Sequence, residues 1–156
     1  MATVHSATAV LPGVAQQPRH RTLALVGGVA LALHGAIHLM GFVVGWQFAR
    51  MQTLPYRTTA LGGHLDRGTA GIQGVGLLWL LAALGFITVG VGLAWHGRLW
   101  RVSIAAIASL SLILCILTWP DSAFGALFDV AILAALLVGR GIVTAQIARQ
   151  VKEHRP

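Results

Sequence analysis

Residues 23–48, LALVGGVALALHGAIHLMGFVVGWQF, run for 26 positions without an Asp, Glu, Lys or Arg. A helix needs about 20 such residues to cross the hydrocarbon core of a bilayer. Residues 74–95 and 102–119 are two more uncharged runs, and residues 123–139 are a fourth, interrupted only by Asp129. Composition supports the same solvent. The chain is 56% hydrophobic and 10% charged, where a soluble domain carries about 25% charged residues. The expected fold is therefore all-α: a polytopic membrane protein with four transmembrane helices in one bundle. A cleaved signal peptide is the rival reading of the first run, with Ala30-Leu31-Ala32 as the cleavage site. The apolar run continues well past that point, which favours a span.

The remaining segments divide the chain into domains. Residues 1–22 read as a basic, flexible tail. Residues 49–73 form a loop punctuated by Pro55 and the Gly62-Gly63 pair. Residues 140–156 are basic and amphipathic, and should extend the last helix into the membrane interface.

The formal net charge is +7, but the basic residues sit at the ends of apolar runs. They do not line one face with aromatics between them, so nucleic acid is not an expected partner. Arg19, Arg21, Arg98, Arg101, Arg140, Arg149, Lys152 and Arg155 fall on one side of a four-span arrangement, and Arg50, Arg57 and Arg67 on the other. The positive-inside rule then puts both termini in the cytoplasm. Arg outnumbers Lys ten to one, which fits a GC-rich bacterial genome and hence a bacterial cytoplasmic membrane. The lipid bilayer is the expected partner. A homo-oligomer or a larger membrane complex stays open.

Within lipid, small residues and polar contacts must associate the helices. Helical spacing gives each span such a stripe: Gly27, His34, His38, Gly41 and Gly45; Gly85, Thr88 and Gly92; Ala108, Ser111, Cys115 and Thr118; Ser122, Gly125 and Asp129. His34 and His38, four residues apart, project from one face of the first span. Asp129 is the only acidic residue inside a span. A carboxylate in the bilayer centre costs about 2.5–3.5 kcal/mol on the gentler insertion scale, so it should be neutral, paired or facing water. Counting about 1.5 Å per residue from Trp46 and from Asp121, both His38 and Asp129 lie roughly 12 Å below the same boundary. His34 lies one turn deeper.

Three roles fit this constellation. Asp129 hydrogen-bonds His34 or His38 and fixes helix register; or the groups form a proton relay or polar gate in a transport path; or His34, His38 and Asp129 bind a transition metal ion, for which imidazole and carboxylate suit Zn, Mn or Fe(II). On the outer side Tyr56, His64, Asp66 and Asp121 are further candidates, with Asp66 or Thr69 capping the next helix and Asp66 pairing with Arg67. The chain carries no nucleophile elbow, phosphate loop, HExxH or close carboxylate pair, so no catalytic residue is assigned. Its single cysteine, Cys115, excludes an internal disulfide and a CxxC motif. The expected function is a non-catalytic accessory or interaction protein whose buried His/Asp contacts set packing. The alternative is a small transporter or membrane metal-binding protein.

The strings LHGAIHLMGF, GLLWLLAAL and WPDSAFGALFDVAIL resemble a broad group of small uncharacterised bacterial four-helix membrane proteins, similar in size and helix count to DoxX-like proteins. The resemblance covers roughly residues 23–139. It implies a four-helix fold and carries no agreed activity.

Overall fold

The computed structural model describes residues 17–52, 54–93 and 98–153. Its elements, in chain order, are α1 (Gln17–Gly45), β1 (Thr59–Ala60), β2 (Leu65–Asp66), α2 (Gly68–Gly92), α3 (Arg98–Leu117) and α4 (Ala123–Glu153). Among the described residues, four helices are long and apolar enough to cross a membrane. Large apolar side chains such as Leu33, Ile37, Leu81, Ile113 and Leu137 stand on the outside of the bundle. Exposed apolar side chains in such number are rare on soluble monomers.

Helix boundaries depart from the edges of the uncharged runs, and local chemistry explains each shift. α1 begins at Gln17, six residues before the apolar run, so the 1–22 tail is helical over its last six positions. Pro18 lies in its first turn, where the N–H it lacks would have no intrahelical partner. Residues 1–16 lie outside the described part. α1 stops at Gly45 because Gln47 turns left-handed, with φ of 56°. Phe48 N–H then donates to Val43 O at 2.9 Å and Gln47 N–H to Val44 O at 3.0 Å, the Schellman termination. Phe48 also packs against Phe42 and Trp46.

The segment between α1 and α2 is shorter than expected and holds β structure that the periodicity does not predict. β1 and β2 pair antiparallel, Thr59 with Asp66 and Ala60 with Leu65. A 3-10 turn, Leu61–Gly63, joins them. Gly62 and Gly63 have φ of 67° and 100°, a region that glycine enters without steric cost. Gly62 N–H donates to Trp119 O at 3.2 Å, which ties this hairpin to the α3–α4 turn. α2 starts at Gly68, where Asp66 Oδ1 accepts from Gly68 N–H at 2.9 Å. Asp66 thus caps the first turn, while the residue in the formal N-cap position is Arg67. The Gly68 N–H, and then the Thr58 side chain, hold the Asp66 carboxyl below its ordinary pKa.

Pro120 separates α3 from α4, because a proline disfavours helical backbone in the residue before it. Thr118 Oγ1 donates to Leu114 O at 2.8 Å and shares a 2.8 Å hydrogen bond with Ser122 Oγ. α4 then runs unbroken to Glu153, carrying the basic segment from Arg140 onward.

α1 packs along α2, α2 against α3, and α3 against α4. Two apolar clusters fill the bundle. One gathers Val75, Trp79, Ala82, Leu114, Cys115 and Ala126. The other gathers Leu31, Phe86, Val89, Ile104 and Ala108. The closest helix approach is between Gly28 and Gly90, where a Cβ on either would run into the carbonyl oxygen of the other. Gly35 adds a second point, against Ala83 O and the Phe86 Cβ. Gly41 and Gly45 of the expected stripe also meet α2, against the Trp79 ring and Ile72 O, so the contact surface of α1 is broader than that stripe. Thr88, expected on the inner stripe of α2, is exposed and donates to Leu84 O at 2.7 Å.

Candidate functional site: a cavity ending on two imidazoles

His34 and His38 occupy successive turns of α1, on the face turned toward α3 and α4. Both are buried, and Asp129 on α4 is 0% exposed. His34 Nε2 lies 3.0 Å from Asp129 Oδ1, so the imidazole N–H donates to the carboxylate. The Cys115 thiol donates more weakly to the second oxygen, with Sγ 3.8 Å from Oδ2. Both oxygens of the buried carboxylate therefore face donors, as burial of such a group requires. His38 does not reach Asp129. Its Nε2 shares a 2.8 Å hydrogen bond with Ser111 Oγ on α3. Each histidine thus ties α1 to a different helix.

Aromatic rings hold the two imidazoles in place. His34 stacks on Phe128, with centroids 4.4 Å apart and planes 27° apart. It meets Phe86 edge-on at 4.9 Å and His38 edge-on at 4.4 Å. His38 leans on Trp79 at 4.8 Å. Gly41 makes room for that indole: a Cβ there would lie 2.6 Å from the Trp79 ring.

A cavity of about 410 Å³ opens above this cluster. His34, His38 and Cys115 line its inner end, and Arg57, Thr59, Gly62, Gly63 and Arg67 line its outer end. Ile37, Met40 and Phe124 line it too, and all three are exposed on the outside of the bundle. These side chains carry the cavity lining out to the exposed surface of α1 and α4. Asp129 lies behind His34 and does not line it.

The four outer-loop candidates separate. Asp121 lines the cavity, with Oδ2 3.7 Å from Arg57 Nε. Asp66 caps α2 instead, and does not deliver a group to the cavity. Tyr56 and His64 are exposed and are not among its lining residues. Arg67 is not the surface partner of Asp66 that adjacency suggests. It turns inward and donates from Nη2 to Thr59 O at 3.1 Å. Gly71, one turn on, leaves space for its side chain, since a Cβ there would lie 2.6 Å from Arg67 Cβ. Burial lowers the pKa of this guanidinium from its ordinary value.

Several participants carry a weak sequence signal. Ser111 and Cys115 lie on the predicted stripe of α3, but nothing in the sequence pairs them with His38 and Asp129. Phe128 is one residue from Asp129, and nothing in the sequence marks it as a partner of His34. Trp95 lies outside the described residues. Trp100 itself folds back, and its Nε1–H donates to Val89 O at 2.8 Å.

Compared with protein-family models, curated proteins and solved structures, the chain matches none.

Proposed function

We propose that this chain is an integral membrane protein with both termini in the cytoplasm, in which the His34–Asp129 pair locks α1 to α4 and the cavity above it binds a small ligand from the opposite side. The cavity carries this reading. It is of ligand-binding size, and it brings two buried imidazoles within reach of the outer loop. A purely structural pair needs no such access. The reading keeps the expected role of the buried contacts in helix packing and adds a binding role on top of it.

Cysteine accessibility tests it. In a Cys115→Ser background, Thr118→Cys places a thiol on the cavity wall and Arg101→Cys places one at the start of α3. With a small membrane-impermeant thiol reagent outside right-side-out vesicles, Thr118→Cys should react and Arg101→Cys should react only after permeabilisation. The reverse pattern rejects the orientation. A Thr118→Cys thiol protected from both sides rejects the open cavity.

A metal centre is the second reading, favoured by one observation. Donor atoms of His34, His38 and Asp129 all lie within 4.8 Å of one another. Bonds of about 2.0 Å around a tetrahedral ion put its ligand atoms roughly 3.3 Å apart, and His34 Nε2 and Asp129 Oδ1 are already close to that. The cationic mouth of the cavity counts against it, because Arg57 and Arg67 repel an incoming divalent cation. Metal analysis of purified protein decides. A metal centre requires about one transition metal ion per chain, lost in His34→Ala/His38→Ala; a metal-free parent removes the reading.

A further inference from the structure

The charged side chains lining the cavity are Arg57, Arg67 and Asp121. Asp121 offsets Arg57, at 3.7 Å. Arg67 has no such counter-ion. Of the five N–H groups of a guanidinium, one bond from Nη2 is taken by Thr59 O. Nε and Nη1 are shielded from solvent and have no hydrogen-bond partner among the described residues. Buried donors in native proteins are nearly always satisfied, and the exceptions call for an explanation. Asp66, next in sequence, spends its carboxylate on Gly68 N–H. The outer end of the cavity thus carries one uncompensated positive charge.

Below that charge the walls change character. Ile37, Met40, Val44, Trp119, Phe124 and Phe128 supply an apolar surface. Phe124, in the first turn of α4, is 92% exposed. A wholly water-borne anion would have no use for this wall, and a neutral hydrocarbon would have no use for Arg67.

Resting on the cavity reading above, we infer that the occupant is a single-chain anionic amphiphile, with its carboxylate or phosphate head against Arg67 and Arg57 and its hydrocarbon chain in the seam between α1 and α4. It reaches the site from the bilayer. The head is recognised by charge-assisted hydrogen bonds and the chain by apolar contact.

The full-length protein in neutral phosphatidylcholine nanodiscs provides the test. A long-chain carboxylate brominated along its chain should quench tryptophan fluorescence saturably, since Trp79 and Trp119 line the cavity. The methyl ester of the same acid should give only the non-saturable quenching of a lipid-dissolved chain. Arg67→Gln should weaken the saturable phase at least about tenfold, the loss expected for a hydrogen bond to a charged group, with Arg67→Lys in between and unchanged circular dichroism in both. Equal quenching by acid and ester, or an unaltered Arg67→Gln curve, overturns the inference. Competition by millimolar acetate or inorganic phosphate overturns it too, in favour of a water-borne anion. Should saturable quenching be absent while Thr118→Cys stays reactive from outside, the amphiphile assignment alone fails. Should Thr118→Cys be unreactive, the cavity reading fails with it.

Discussion

Asp129→Leu should lower the stability of the folded bundle by about 1–3 kcal/mol for each buried donor left without its acceptor. Leucine leaves the His34 Nε2–H without its acceptor at 3.0 Å, and the Cys115 thiol without its own. Asp129→Asn keeps a carbonyl oxygen able to accept from His34, so its loss should be nearer 1 kcal/mol. Thermal unfolding in neutral detergent, followed by circular dichroism, reads both. If leucine and asparagine melt alike, the carboxylate at 129 plays no part in holding the helices together.

Gly28→Ala should be nearly as damaging, although it adds a single methyl group. The methyl would meet the backbone carbonyl of Gly90, and backbone cannot swing aside as a long side chain does. α1 and α2 would have to separate along their main contact line, at the cost of about 1–3 kcal/mol typical of overpacking and of the aromatic packing around His34 and His38. Gly74→Ala is the control. Nothing lies within 4 Å of a Cβ at that position, and alanine is the better helix former by roughly 1 kcal/mol. Gly74→Ala should therefore melt at or above the parent temperature while Gly28→Ala melts well below it. Similar melting of the two variants would mean that the Gly28–Gly90 approach is not the point of closest packing.

Sequence patterning reached some of this architecture and stopped at identifiable places. Long uncharged runs force helices that bury their own backbone polar groups, so the four apolar segments were legible. Their ends were not. The Schellman turn at Gln47 depends on a left-handed residue that is not glycine; Asp66 was legible as a cap of α2, but the two-residue strand it sits on is too short for any periodicity. His34, His38 and Asp129 stood out because ionisable groups are rare in apolar runs, and helix rise alone matched their depth. Rise could not choose between His34 and His38 as the partner of Asp129, because that choice depends on how α1 and α4 are rotated about their axes. The same unknown rotation hid the close contacts of Gly28 and Gly35, which add to those of Gly41 and Gly45 on the expected stripe. Arg67 was the hardest to read. Beside Asp66 in the sequence it looks like half of a surface ion pair, and only the fold of the hairpin turns it into the cavity.

A double-mutant cycle on His34 and Asp129 tests the central claim most directly, because those residues are 95 positions apart and meet only if α1 and α4 pack as described. The cycle compares His34→Phe, Asp129→Leu and the double variant by thermal unfolding in the same detergent. Phenylalanine keeps the stack on Phe128 and removes the hydrogen bond. A coupling energy of at least about 1 kcal/mol is expected, with the double variant more stable than the sum of the single losses implies. Losses that add to within about 0.3–0.5 kcal/mol, the behaviour of distant sites, would contradict the contact and with it the floor on which the cavity rests.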